Sequence, residues 1–200
     1  MKITSIKQQQ KRTDRYSIFI DGKYEFSLSE TALLEHKLVS GQELSRDQVR
    51  EFKRISADDK LYNQTLRYVA MRLRSRWEVE VYLKRKAASP TLIDQILNKL
   101  SNIGMLDDRK LAEAYVNDRQ TLRPTSRRKI IAGLRQKRVA EDIISQVIGE
   151  EVQDDQAALL DVIRRKRQQT KYQDDIKLMQ YLARQGFNYG DIKAALNTVD

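Results

Sequence analysis

The sequence predicts a mainly α protein: tandem three-helix repeats stacked into a curved array, preceded by a small N-terminal region of β-hairpin and short helices. Three observations predict it. Strand-like alternation of apolar residues is concentrated near the start of the chain, helical apolar spacing dominates from Asp58 onward, and one helical block recurs three times. Apolar residues make up 40% of the chain and charged residues 33%, with both signs intermixed, so a folded core is expected rather than a disordered tail.

The hairpin is read from Ile18 and Ile20, then Tyr24, Phe26 and Leu28, alternating on either side of Asp21-Gly22. A two-residue type I′ turn needs positive φ at both centres, and Asp-Gly tolerates it. Lys2 to Lys11 is placed to add a third, poorly patterned strand, because an isolated hairpin is only marginally stable. A short helical run with Leu33, Leu34 and Leu38 follows and ends near Gly41. Ser45 and Gln48 form a capping box, with Leu44 and Val49 as its hydrophobic staple, and the helix they start is expected to reach about Ser56.

Beyond that point the apolar pair Val79/Leu83 recurs as Ile130/Leu134 and again as Leu178/Leu182, at intervals of 51 and 48 residues. A cap candidate precedes each pair: Ser75, Ser126 or Asp174. A short break and a last helix follow, carrying Ile93/Leu97, Ile144/Ile148 or Ile192/Leu196. A unit this small buries little by itself, so neighbouring units should stack as in helical repeat proteins. The expected divisions are an N-terminal region over residues 1–57 and repeats over 58–106, 107–152 and 153–200.

Local residues set these boundaries. Pro90 suits the first turn of a helix, where its missing N–H costs nothing, and Gly104 suits the left-handed position that ends one. The pairs Asp58-Asp59, Asp107-Asp108 and Asp154-Asp155 stand where each repeat would begin, and carboxylates favour a helix N-terminus. Capping is preferred over magnesium binding for Asp107-Asp108 because the pair recurs. Trp77 to Lys84 alternates like a strand, yet Ser75 and Glu78 make a capping box and Val79, Tyr82 and Leu83 have helical spacing, so the segment is read as helix.

Chemistry is excluded more readily than assigned. There is no Cys, and His36 is the only histidine, which removes disulfides, thiolate nucleophiles and multi-His metal sites. No phosphate-cradling glycine motif occurs. No apolar stretch is long enough to cross a bilayer and Met1-Lys2-Ile3-Thr4 opens no signal segment, so a cytoplasmic protein is expected, without cofactor, metal or catalytic residues. Trp77 and Tyr82 beside the basic residues could stack on bases, but packing between repeats is the preferred reading.

The net charge of +10 is unevenly placed. Arg67 to Arg138 holds 18 Lys or Arg against 7 Asp or Glu, an excess of eleven, while the rest of the chain holds 20 against 21. Such clustering on structured segments marks a surface that meets phosphates or an acidic protein face, the alternative being a solvated face that only aids solubility. Arg72, Arg74 and Arg76 straddle the turn before the second helix of repeat one, and Lys84, Arg85 and Lys86 end that helix. Arg127, Arg128, Lys129, Arg135, Lys137 and Arg138 occupy corresponding positions one repeat later, with Arg119 and Arg123 at the joint between. Cations at helix C-termini answer the macrodipole without any partner, but Arg127 and Arg128 near a helix start do not. The third repeat has Asp174, Asp175, Ala183 and Gln185 instead, so contact should centre on the first two.

Several segments together resemble one family. They are Arg74-Ser75 through Leu83-Lys84-Arg85-Lys86, Gly104-Met105-Leu106-Asp107-Asp108 with Ala112-Glu113-Ala114-Tyr115-Val116 after it, Leu134-Arg135-Gln136-Lys137, and Leu182-Ala183-Arg184-Gln185-Gly186-Phe187. In order and spacing they resemble the RecX family over about Leu61 to Asp200, and the N-terminal region resembles an extension seen in some members. Ala87-Ala88 and Arg138-Val139 depart from the Gly-aromatic step seen at Gly186-Phe187.

The resemblance implies a non-enzymatic negative modulator of the bacterial RecA recombinase, acting in recombination, DNA repair and the SOS response. It would lie, as a monomer, in the groove of the RecA–DNA filament and restrain strand exchange, ATP hydrolysis and co-protease activity. The implied partners are RecA and the DNA phosphate backbone. A direct DNA-binding protein, sequence-independent or of helix-turn-helix type, is the alternative; the scarcity of base-reading Asn and Gln on the second helices favours sequence-independent contact. A metal-dependent nuclease would need carboxylates clustered away from caps, and the sequence offers none.

Overall fold

The computed structural model describes residues 1–122, 124–151 and 155–199, in two compact units, Met1–Arg72 with Ser89–Ile96 and Leu73–Ala88 with Leu97 onward. In the first unit β1 (Ile3–Gln8), β2 (Arg15–Ile20) and β3 (Lys23–Ser29) form an antiparallel sheet in the order β1-β2-β3. Asp21 and Gly22 turn the β2–β3 hairpin with φ of 49° and 81°, both positive as a type I′ turn demands. The expected third strand is β1, with Ile6 opposite Ile18. One face of the sheet buries Ile3, Ile18, Ile20, Phe26 and Leu28 together with Ala32, Leu38, Leu44 and Val49. Ala32 lies on α1 (Glu30–Glu35), capped by Ser29. The His36 ring meets Phe52 edge-on at 5.5 Å.

The capping box of Ser45 and Gln48 starts α2 (Arg46–Ala70), with Leu44 and Val49 both buried beside it. This helix does not stop at Ser56. It runs on to Ala70, so Asp58 and Asp59 lie in its interior and cap nothing. The Asp59 carboxylate instead pairs at 2.6 Å with Arg15, only 3% exposed, and accepts the Ser29 N–H at 3.0 Å. A buried guanidinium left alone would cost several kcal/mol (~3–5), whereas Asp in a helix interior costs well under ~1 kcal/mol. Tertiary pairing therefore outweighs the local stop signal.

The remaining helices are α3 (Arg76–Arg85), α4 (Pro90–Asn102), α5 (Asp108–Thr121), α6 (Arg127–Gln136), α7 (Glu141–Glu151), α8 (Asp155–Arg167), α9 (Asp175–Arg184) and α10 (Tyr189–Val199), with a 3-10 turn at Thr170–Tyr172. Trp77 to Lys84 is helical. All six residues of the recurring apolar pairs are buried to 1% exposure or less. Ile130 and Leu134 join Leu111, Val116, Ile144 and Ile148 in one core, and Leu178 and Leu182 join Leu159, Ile163, Ile192 and Leu196 in another. Ser75, Ser126 and Asp174 are the N-caps, each accepting a backbone N–H three residues on.

The three second helices end alike. Ala87, Arg138 and Gly186 take positive φ of 58°, 56° and 92°. The next N–H returns to the carbonyl of Leu83, Leu134 or Leu182 at 3.2, 3.2 and 3.3 Å. This is the Schellman ending, and it persists at Ala87 and Arg138 although a side chain in that conformation costs roughly 1–2 kcal/mol. The same leucines fill the cores, so packing on both sides of the turn holds it closed. Asp107 caps α5, accepting from the Arg109 and Lys110 N–H groups. Asp154 lies outside the described residues, as does the expected boundary between 152 and 153. Trp77, expected to pack between repeats, is 41% exposed.

Candidate functional site

The basic side chains singled out by the sequence divide by what they touch. Lys84 pairs with Glu80 at 2.5 Å, and Arg135 grips Glu141 with two hydrogen bonds of 2.7 and 3.0 Å that hold its carboxyl below the usual range. Lys86 caps α3 with its ammonium 5.7 Å from the Tyr82 ring centre. Arg76 reaches Asn98 at 3.3 Å. Arg72 is exposed and Arg74 half-buried on the segment leading into α3. Arg123 lies outside the described residues. Arg85, Arg128 and Arg138 are exposed and make no ion pair among the described residues, and the Arg127 side chain is exposed beside Arg128 in the first turn of α6.

Lys129, Lys137 and Arg119 belong to joints between repeats. The joint between α3 and the second repeat uses a backbone cap, the Arg76 N–H donating to Asp108 at 2.8 Å, and an ion pair, Glu78 to Lys137 at 3.6 Å. The joint between α6 and the third repeat repeats this plan. The Arg127 N–H donates to Asp155 at 2.6 Å, and Lys129, the counterpart of Glu78, reaches the end of α9 through the Arg184 carbonyl at 2.5 Å and Gln185 at 3.2 Å. Asp108 and Asp155 thus each cap the middle helix of the preceding repeat. Burial holds the Asp108 carboxyl above its ordinary value, despite the hydrogen bond from Arg76.

The two joints differ in charge. Glu78 completes a capping box with Ser75, whereas α6 carries Arg127, Arg128 and Lys129 in its first turn, where the helix dipole disfavours cations. With no acidic side chain at that position, the Ser126 N–H donates instead to the Gln185 carbonyl at 3.1 Å. Burial, and next the Arg119 charge, hold the Lys129 ammonium below its ordinary value.

Beside this second joint lies a cleft of about 560 Å³ lined by Arg119, Lys129, Arg165, Lys166, Tyr115 and Tyr181 among others. Arg165 and Lys166 were missed by the sequence reading, which weighed the third repeat by Asp174, Asp175, Ala183 and Gln185. The signal was present in Arg164-Arg165-Lys166-Arg167 at the end of α8. Among the described residues no group of three or more acidic or histidine side chains could hold a metal, and no helix is long and apolar enough to cross a membrane.

Comparison with known proteins gives one consistent answer. Three family models match: the "Regulatory protein RecX N-terminal domain" over residues 1–45, the "RecX, first three-helix domain" over 62–100 and the "RecX, second three-helix domain" over 107–148. A regulatory protein RecX of Listeria monocytogenes is 34% identical, over 98% of this chain and 74% of its own. The Bacillus subtilis protein of the same name is 28% identical, over 99% and 77%. A crystal structure of a regulatory protein RecX superposes with a TM-score of 0.74 at 26% identity, covering 98% of both chains.

Proposed function

Because this chain belongs to the RecX family of regulatory proteins, we propose that it is a non-enzymatic negative modulator of the RecA recombinase, bound in the groove of the RecA–DNA filament. There it restrains ATP hydrolysis, strand exchange and co-protease activity, and it works in the cytoplasm as a monomer. The observation that carries this reading is the pair Arg127 and Arg128: two exposed cations at a helix N-terminus, where the dipole opposes them and no side-chain ion pair among the described residues accounts for them. Arg85 and Arg138 extend the same contact at the ends of the middle helices. Arg72, Arg74, Arg76, Lys84 and Lys86 contribute from the first repeat.

The test is RecA ATP hydrolysis on single-stranded DNA with the protein titrated in, alongside its binding to bare DNA at the same salt. Inhibition far below the concentration that coats bare DNA is expected, and Arg127→Ala with Arg128→Ala should weaken it several-fold without lowering the melting temperature. Inhibition only where bare DNA is also covered would make the protein a competitor for the strand. Where phosphates contribute, affinity should fall with salt at a log-log slope of about −0.7 per single-strand contact.

A further inference from the structure

The cleft beside the second joint is built from four helices, all within one compact unit: Tyr115 and Arg119 on α5, Lys129 on α6, Arg165 and Lys166 on α8, and Tyr181 on α9. Among the described residues four cations line it and no carboxylate does. Arg165 is balanced by Asp161 at 2.9 Å and Arg119 more loosely by Asp118 at 3.5 Å. Among the described residues the Lys129 ammonium has only uncharged oxygens as hydrogen-bond partners, and the Lys166 ammonium rests on aromatic faces, 4.7 Å from the Tyr181 ring centre and 5.3 Å from that of Tyr172. The Arg119 guanidinium lies 4.8 Å from the Tyr115 ring centre. These rings hold the cations in place before any ligand arrives, which lowers the ordering cost of binding.

Placing Lys129 here is costly. Its charge sits in the first turn of α6, against the helix dipole, and near Arg119, while the joint at Glu78 shows that an acidic residue fits the equivalent position. An anion in the cleft relieves both costs together. The volume falls in the range of small-ligand pockets, roughly 300–1,000 Å³. We propose that this cleft is a phosphate-binding site, in which Lys129, Lys166 and Arg119 hold the phosphate groups of a nucleotide or of a nucleic-acid strand.

The site is tested on the intact protein without recombinase, so its failure leaves the filament reading standing, and the filament reading can fail without it. Inorganic pyrophosphate is titrated in at constant ionic strength, followed by calorimetry and by backbone amide shifts. One saturable site is expected, with shifts concentrated around Thr125 to Lys129 and Tyr181 to Gln185. Lys166→Gln and Arg119→Gln should each weaken it about tenfold, while Arg50→Gln, a remote exposed cation, should leave it unchanged. ADP and a short oligothymidylate then identify the source. Displacement of pyrophosphate by the oligonucleotide assigns the cleft to strand phosphates, and displacement by ADP alone assigns it to free nucleotide. Absence of saturation by about 10 mM, shifts spread evenly over the basic surface, or equal affinity in all three variants overturns the proposal.

Discussion

The joint at α3 and the joint at α6 are two solutions to one geometric problem. In both, the first backbone N–H of the middle helix donates to an aspartate of the next repeat, and the third residue of that helix reaches the C-terminal end of the following middle helix. In one the third residue is Glu78, which agrees with the helix dipole, completes a capping box and pairs with a lysine. In the other it is Lys129, which opposes the dipole and holds carbonyl and amide oxygens. The same packing scaffold thus carries a self-satisfied joint and a joint with surplus positive charge. Stability accounts for the first arrangement. The second keeps cationic surface beside a cleft, as expected where charge is kept for a ligand.

The largest effect that would separate the joints comes from the turns. Gly186 has φ of 92°, and a Cβ there would come within 2.5 Å of Ser126 Oγ and 3.0 Å of Lys129 Cβ. Gly186→Ala should therefore cost about 2 kcal/mol or more, read as a lower urea midpoint at unchanged slope. Arg138 occupies the matching position with a side chain already present, and Arg138→Gly should be neutral or mildly stabilising, within about 1 kcal/mol. Equal losses in the two variants would show that the turns are not equivalent.

Next in size is a change that gives the first joint the charge of the second. Glu78→Lys removes the capping-box bond to the Ser75 N–H and the pair with Lys137, and should lower stability by about 1.5 kcal/mol. Lys129→Gln should cost less, since the amide still reaches toward acceptors and the charge against the dipole is gone. A Lys129→Gln loss as large as that of Glu78→Lys would mean that the charge of Lys129 is needed for the joint itself.

The smallest effect concerns the caps. Asp108→Ala should cost about 1 kcal/mol by leaving the Arg76 N–H without its acceptor. Asp108→Asn keeps an acceptor and removes a charge that burial disfavours, so it should cost less. The sign is definite: a carboxyl whose folded-state pKa is raised destabilises the fold once ionised. The Asp108 contribution should therefore fall as pH rises through its raised pKa, and Asp108→Asn should flatten that part of the stability profile. An unchanged profile would place the burial cost elsewhere.

Much of this was legible in the residues. The recurring apolar pairs and their caps located the middle helices because helical periodicity and capping are local rules, and the cores form where those pairs fall. Asp21-Gly22 marked the hairpin for the same reason. Asp58-Asp59 misled because its role depends on Arg15, 44 residues before Asp59 in sequence and adjacent in space. Tyr115 against Gly133 is another such contact: a Cβ on Gly133 would meet the Tyr115 hydroxyl at 2.1 Å, a constraint the sequence does not announce.

By itself, then, the sequence determined the repeat, the helix limits set by caps and turns, and the concentration of charge in the middle third, all of which rest on neighbours within a few residues along the chain. Only the tertiary structure decided which of those charges are spent on the fold. Glu80 and Glu141 take up Lys84 and Arg135, while Arg119, Lys129, Arg165 and Lys166 from separate helices come to line one cleft. The reason is physical: whether a charge is neutralised depends on distances of a few ångströms between side chains that stand far apart along the chain, and packing sets those distances.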